Sequence, residues 1–274
     1  MSRKKFYEII VNMVMISISF AFLFPVFYTV LISFHSPGTG LLGLFPDVWD
    51  FSNYSMLAAY GKFPRYILNS LINALGGAFI SVSFATAAAY ALARLNFKGK
   101  KIFMGLIYLF MMLPLLTNLI PLYKISSDLG LLNTYPLMLT IFGAYGLPLA
   151  IFIIKGFFES IPVALEEAAQ IDGATPSQAL WHVVVPLTLP GVIAAFLINF
   201  VYSWNNFFTP FIMITKTSMN MATVGLYDFK STLEHESAEL LATACVVVMV
   251  PALILFLSTR KYFMKGMIEG AIKG

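Results

Sequence analysis

Apolar positions along the chain gather into six long runs, separated by polar or glycine- and proline-rich stretches. The runs are Ile9 to Ile32, Ile67 to about Leu92, Ile102 to Leu122, Leu137 to Ile154, Leu187 to Phe211 and Leu240 to Leu257. A helix crossing the hydrocarbon core of a bilayer needs about 20 such residues. Backbone N–H and C=O groups in hydrocarbon must be satisfied within the segment unless a barrel closes, so each run predicts a helix. The first run follows the basic cluster Arg3, Lys4, Lys5 and has no small-x-small cleavage site after it, so it reads as a retained helix and not a removed leader.

Composition agrees with this pattern. Hydrophobic residues make up 59% of the 274 and charged residues 11%, with a mean hydropathy of +0.84. A soluble domain carries roughly a quarter charged residues. An ordinary globular enzyme, a disordered chain and a nucleic-acid binder are therefore excluded. The net charge of +4 bears on orientation, because Lys and Arg gather on the cytoplasmic side of membrane proteins. With both termini in the cytoplasm, twelve basic residues lie inside and five outside, the latter being Lys62, Arg65, Lys124, Lys216 and Lys230. All 17 basic and 13 acidic residues then fall in loops, tails or helix ends, and no carboxylate is left near a bilayer midplane. The expected architecture is an all-α membrane protein of six transmembrane helices, forming a single domain over residues 1–274.

Cys245 is the single cysteine and lies inside an apolar run, so the chain offers no disulfide framework and no CxxC metal site. His35, His182 and His235 fall in loops on opposite sides of the membrane and cannot assemble one metal site. The run Glu234, His235, Glu236 and Glu239 in the last outer loop reads as a solvated surface.

Two loops stand apart. Outside, Phe34 to Tyr66 holds Pro37, Gly38, Gly40, Gly43, Pro46 and Pro64 and has room for a short surface helix near Asn53 to Tyr60. Inside, residues 155–186 carry two helix patterns. Pro162 suits a first helical position, Glu166 and Glu167 follow it, and Gly173 suits a C-terminal cap. Thr175, Pro176, Ser177 and Gln178 then form a capping box with Thr175 at the N-cap. Two short helices are expected to meet at a glycine turn on the cytoplasmic face. In the first, Leu165, Ala168, Ala169 and Asp172 share one face, and Glu166 and Gln170 another. A helix this short is marginal alone in water; it docks either on this chain's own helix ends or on another polypeptide.

Glu167-Ala168-Ala169, three residues, Gly173, nine residues, then Val183-x-Val185-Pro186 resembles the EAA loop of ATP-binding-cassette importer permeases, with Val183 and Val185 where that pattern has Ile and Leu. Further stretches look like the carbohydrate branch, the maltose-type second permease subunit. They are Asn69-Ser70, Ala88 to Leu95, Gly130-Leu131-Leu132-Asn133-Thr134, Ile171-Asp172-Gly173-Ala174, Ser203-Trp204-Asn205 and Gly270 to Gly274. Asn206 departs from the pattern, since many relatives have an acidic residue there.

The resemblance implies a type I importer permease fold in a prokaryotic cell membrane. It also implies a second homologous permease, two cytoplasmic ATPase subunits and an extracytoplasmic solute-binding protein as partners, and alternating access as the mechanism. Glu167, Ala168, Ala169 and Gly173 map onto the motif that couples to the ATPase, with Glu166 and Asp172 beside it and Leu165, Ile171 and Trp181 as apolar anchors. The Gly270 to Gly274 tail is expected near the ATPase. No lysine follows a glycine and precedes Ser or Thr, so the phosphate-cradling GxxxxGK[ST] loop is missing and the chain has no ATP site. ATP and Mg belong to the partner ATPase, and the chain itself is expected to hold no cofactor, no metal and no catalytic residue.

Polar side chains within helices mark candidate pathway positions, being costly in hydrocarbon unless they face a cavity or a neighbour. Ser203, Trp204, Asn205, Asn206 and Thr209 cluster in the fifth run, where an aromatic beside amides suits a sugar. The same cluster reads equally as interhelical hydrogen bonding or as an interfacial tryptophan with its neighbours. Pro210 is expected to break that helix near its outer end. A sugar importer subunit is the leading function; the same class of importer for a polyol or glycerophosphodiester is the alternative. An ion-coupled secondary transporter would need an intramembrane carboxylate or broken helices around an ion.

Overall fold

The computed structural model describes residues 3–37, 43–232 and 238–271, and among these it is helical with no strand. In chain order the helices are α1 (Arg3–Ile32), α2 (Ser52–Ala59), α3 (Phe63–Arg94), α4 (Lys100–Met112), α5 (Leu115–Asp128), α6 (Tyr135–Ser160), α7 (Ala164–Ile171), α8 (Pro176–Ala179), α9 (Val185–Trp204), α10 (Phe208–Met213), α11 (Ala222–Thr232) and α12 (Ala238–Ala271). A π-helical turn, Leu180–Val184, joins α8 to α9, and a 3-10 turn, Thr217–Met219, follows α10. Five helices have membrane length and apolarity, and the bent pair α4 and α5 makes a sixth span if counted as one.

Three expected spans are corrected. The run 102–122 is not one helix: α4 and α5 meet at a 97° bend. Pro114 has no N–H to give and biases its predecessor away from helical angles; Leu113 and Pro114 are extended, with ψ of 123° and 126°. The run 187–211 starts earlier and stops earlier, because one helical stretch covers Pro176–Trp204 and the chain then breaks. Pro210 does not make that break. It lies in the first turn of α10, where a missing N–H costs nothing. The second cytoplasmic short helix is thus the opening of a long one. The last run extends as helix to Ala271.

The chain groups into two compact units, 1–64 with 225–251, and 65–224 with 252–274. In the first unit, the outer end of α1 is held by polar bonds. Asn53 Nδ2 on α2 donates to the Ser33 and His35 carbonyls at 3.2 and 2.8 Å, and Thr243 Oγ1 on α12 donates to Ser33 O at 3.2 Å. Ser33 and Tyr54 hydroxyls meet at 2.8 Å. Asp50 Oδ1 accepts from Ser52 N at 2.8 Å at the start of α2, and hydrogen bonds from Ser52 and Ser36 hold its carboxyl below the usual carboxylate range. Glu239, expected on a solvated surface, is instead buried in the first turn of α12; Glu234, His235 and Glu236 lie outside the described residues.

In the second unit, one apolar cluster joins Ala85, Ala89 and Leu92 of α3 to Ile151, Ile154 and Phe158 of α6 and to Val184 and Ala195 beside and on α9. A second joins Leu119 of α5, Met138 and Phe142 of α6, and Met213 and Met221. Small residues let α3 and α6 approach closely, as membrane helices do without a hydrophobic drive between them: a Cβ on Gly77 would lie 2.6 Å from Phe142 Cβ.

Candidate functional site

The cytoplasmic helix α7 is built by its caps. Gly173 has φ +92° and open space where a Cβ would go, so glycine is favoured by backbone angle alone. Gly173 N–H donates to Gln170 O and Ala174 N–H to Ala169 O, both at 3.0 Å, which is the Schellman closure of a helix. Two residues on, the capping box forms as the sequence predicts. Thr175 Oγ1 accepts from Gln178 N at 3.3 Å, and Gln178 Oε1 accepts from Thr175 N at 2.8 Å. Pro186 then offers no N–H, and the turn before it is widened so that Val185 N–H reaches Leu180 O.

The two faces of α7 differ. Glu167, Ala168 and Asp172 are exposed, Leu165 is 44% exposed and Ile171 86%. Trp181, in the π-helical turn, is 61% exposed, so three large apolar side chains stand uncovered. Ala169 is half-buried. Glu166 faces inward and is buried. Its carboxylate pairs with the Arg94 guanidinium at the end of α3, both side chains being under a tenth exposed. Arg94 Nη2 also donates to Ile161 O at 2.9 Å, and the Tyr90 hydroxyl donates to Glu166 Oε2 at 3.4 Å. Sequence reasoning put Glu166 with the coupling residues but did not find Arg94 or Tyr90 as its partners.

On the other side of the bundle, Ser203 and Trp204 end α9 and are buried, with Trp204 stacked on Phe200 at 5.6 Å. Asn205 is exposed in the break, while Asn206, just before the N-cap of α10, accepts at Oδ1 from Thr209 N at 3.0 Å. Asn206 O accepts from Thr223 Oγ1 at 2.9 Å. Ser203 Oγ and Thr209 Oγ1 are buried without a hydrogen-bond partner among the described residues. Of the five, Asn206 serves the local fold and Asn205 alone presents its side chain outward.

Two other motifs acquire structural reasons. Asn69 Nδ2 donates to Ser218 O and Asn220 O at 3.1 and 2.9 Å, while its Oδ1 accepts from Tyr135. Ser70 Oγ accepts from Ala222 N at 2.8 Å. Asn133, at φ +62°, accepts through Oδ1 from Thr215 N and Lys216 N at 2.6 and 2.8 Å, and Thr134 caps α6. The tail residues 272–274 lie outside the described residues.

Membrane-length helices carrying a capped helix at their cytoplasmic end define the class, a multi-pass integral membrane subunit. The chain belongs to the family described as binding-protein-dependent transport system inner membrane component, whose model matches residues 81–269. It is 32% identical over 232 residues to the trehalose transport system permease protein SugB of Mycobacterium tuberculosis, covering 84% of this chain and 85% of that one. It is likewise 32% identical to the melibiose/raffinose/stachyose import permease protein MelC of Bacillus subtilis, covering 84% of both chains. Among solved structures, a chain of a bacterial ABC transporter involved in import of the acidic polysaccharide alginate superposes with a TM-score of 0.79 at 27% identity, covering 96% of this chain and 99% of that one. The protein is therefore a transport component with the type I importer fold, residing in the inner membrane.

Proposed function

We propose that this chain is one of two homologous permeases in an ATP-driven importer of a sugar or oligosaccharide, and that α7 docks on a cytoplasmic ATPase. The observation that carries the docking role is the exposure of large apolar side chains on and beside a short capped helix. Leu165, Ile171 and Trp181 stand exposed near the acidic Glu167 and Asp172, and large apolar side chains left uncovered on and beside a short capped helix suit a docking role. A groove lined with apolar and basic side chains is the complementary partner. The sugar class rests on relatives named for trehalose and for melibiose, raffinose and stachyose.

Nucleotide chemistry belongs to two ATPase partners, since this chain carries no phosphate-binding loop. A solute-binding protein delivers the ligand outside; ATPase closure draws the docking helices together and the cavity opens outward, a shift between two states of the membrane helices. Asn205, exposed at the end of α9 next to Ser203 and Trp204, is the residue we assign to meet a sugar hydroxyl on the way through.

Purification from the native membrane in mild detergent, followed by mass spectrometry, tests this reading. Recovery of a second permease and an ATPase, with ATP hydrolysis stimulated by a sugar-loaded binding protein, is the expected result. Solute movement by the chain alone in liposomes without ATP would overturn it.

A further inference from the structure

A buried ion pair is a poor device for stability. Desolvating both charges offsets their attraction, and well-packed apolar residues of the same volume often do as well or better. Its attested use is to fix one geometry among several. Arg94 and Glu166 meet that description, because the guanidinium holds two elements at once: the Glu166 carboxylate on α7 and, at 2.9 Å, the Ile161 carbonyl between α6 and α7. One turn earlier on α3, Tyr90 donates to the same carboxylate at 3.4 Å. Its ring packs edge-on against Phe158 of α6, with centroids 5.7 Å apart. An apolar contact would let a short helix slide or roll, whereas a directional fork does not.

The opposite end of α3 is pinned as firmly. Asn69 and Ser70 hold the backbone of Ser218, Asn220 and Ala222. From Ser70 to Arg94 a helix rising 1.5 Å per residue spans about 36 Å. α3 is thus a strut with a polar clamp at each end, one on the cytoplasmic docking helix and one on the outer segment.

We propose that Arg94 is the positioning residue that makes α3 move with α7, so that a displacement delivered to the docking helix reaches the outer segment Ser218–Ala222 through α3. The inference rests on the reading of α7 as the ATPase-docking helix and adds the route and its far end. Glu166 takes no part in the docking surface; it is the handle by which α7 holds α3.

The test uses the full transporter in nanodiscs with its sugar-loaded binding protein, comparing wild type with Arg94→Glu, Glu166→Arg and the double exchange. Two quantities are read: stimulation of ATP hydrolysis by the loaded binding protein, and, in a Cys245→Ala background, the labelling rate of a thiol introduced by Thr217→Cys at the exposed outer turn, with and without a non-hydrolysable ATP analogue. Coupling between sites commonly amounts to a factor of 5 to 150. Each single exchange is expected to lower stimulation about tenfold and to abolish the nucleotide-dependent change in labelling, with the complex still assembled. The double exchange restores both. Should the single exchanges fail to assemble, Glu166→Gln carries the test, since it keeps the shape and loses the charge; the same loss of both signals is expected. Singles that keep the labelling change, or a double exchange that assembles without restoring it, overturn the strut. A wild-type chain that recruits no ATPase overturns the importer reading instead.

Discussion

The amide of Asn199 on α9 donates to the Ser81 hydroxyl on α3 at 3.0 Å, and it does so directly over Gly146 of α6. A Cβ at Gly146 would stand 2.5 Å from Asn199 Oδ1 and 3.0 Å from Ser81 Oγ. Three helices of the second unit therefore meet at one buried polar contact that only glycine leaves room for.

Gly146→Ala should destabilise the protein by about 1–3 kcal/mol, the usual cost of overpacking. Asn199→Ala should cost about 0.6 kcal/mol, the mean for an interhelical hydrogen bond in a membrane protein. Together the two should cost less than their sum, because removing the amide clears the space that the new methyl needs, and contacting residues couple by about 0.5–3 kcal/mol. Equilibrium unfolding in mixed micelles measures all three; strict additivity would show that the methyl is accommodated some other way.

Gly173 offers a cleaner backbone test, since nothing stands where its Cβ would be. Gly173→Val should cost about 1–2 kcal/mol through the left-handed φ alone and loosen the closure of α7. Gly173→Asn should be milder, because Asn tolerates that conformation. ATPase stimulation by the loaded binding protein, compared at equal assembly, reports the difference. Equal behaviour of the two variants would mean that φ is not what the position selects.

Asn133 separates two roles that coincide in one residue. Asn133→Gly keeps the positive φ and loses the bonds to Thr215 and Lys216, each worth about 1 kcal/mol. Asn133→Ala loses the bonds and adds about 1–2 kcal/mol of left-handed strain. Amide exchange over residues 213–216 should rise in both variants and further in the second; protection unchanged in Asn133→Gly would show that the side chain does not hold that segment.

Features written in local chemistry were legible before the structure. Hydropathy marked the six apolar stretches but misjudged three of them, and the signals at Gly173 and in Thr175 to Gln178 gave the turn and capping box as they stand. Features set by partners distant in sequence were not. Arg94 and Glu166 are 72 residues apart and Ser81 and Asn199 118, separations at which no periodicity carries information. Breaks inside apolar runs were missed or misplaced for another reason. Pro114 bends the 102–122 run although its neighbours stay hydrophobic, and the break after Trp204 comes from the Asn205–Phe207 linker while Pro210 sits harmlessly in a first turn. Glu239 showed that a charge beside other charges need not be on the surface.

Asn205 and Asn206 look alike in sequence and should separate completely in experiment. Asn206 Oδ1 accepts from Thr209 N in the first turn of α10, so Asn206→Ala removes that hydrogen bond and should lower stability by about 1 kcal/mol. Asn205 is exposed, and Asn205→Ala should leave stability within about 0.5 kcal/mol, as for a surface position. If Asn205 meets the ligand, its replacement changes sugar-stimulated ATP hydrolysis at unchanged thermal stability, and Asn206→Ala shifts the melting temperature first. The reverse assignment of effects would remove Asn205 from the path and leave the buried hydroxyls of Ser203 and Thr209 as the polar groups there to be tested next.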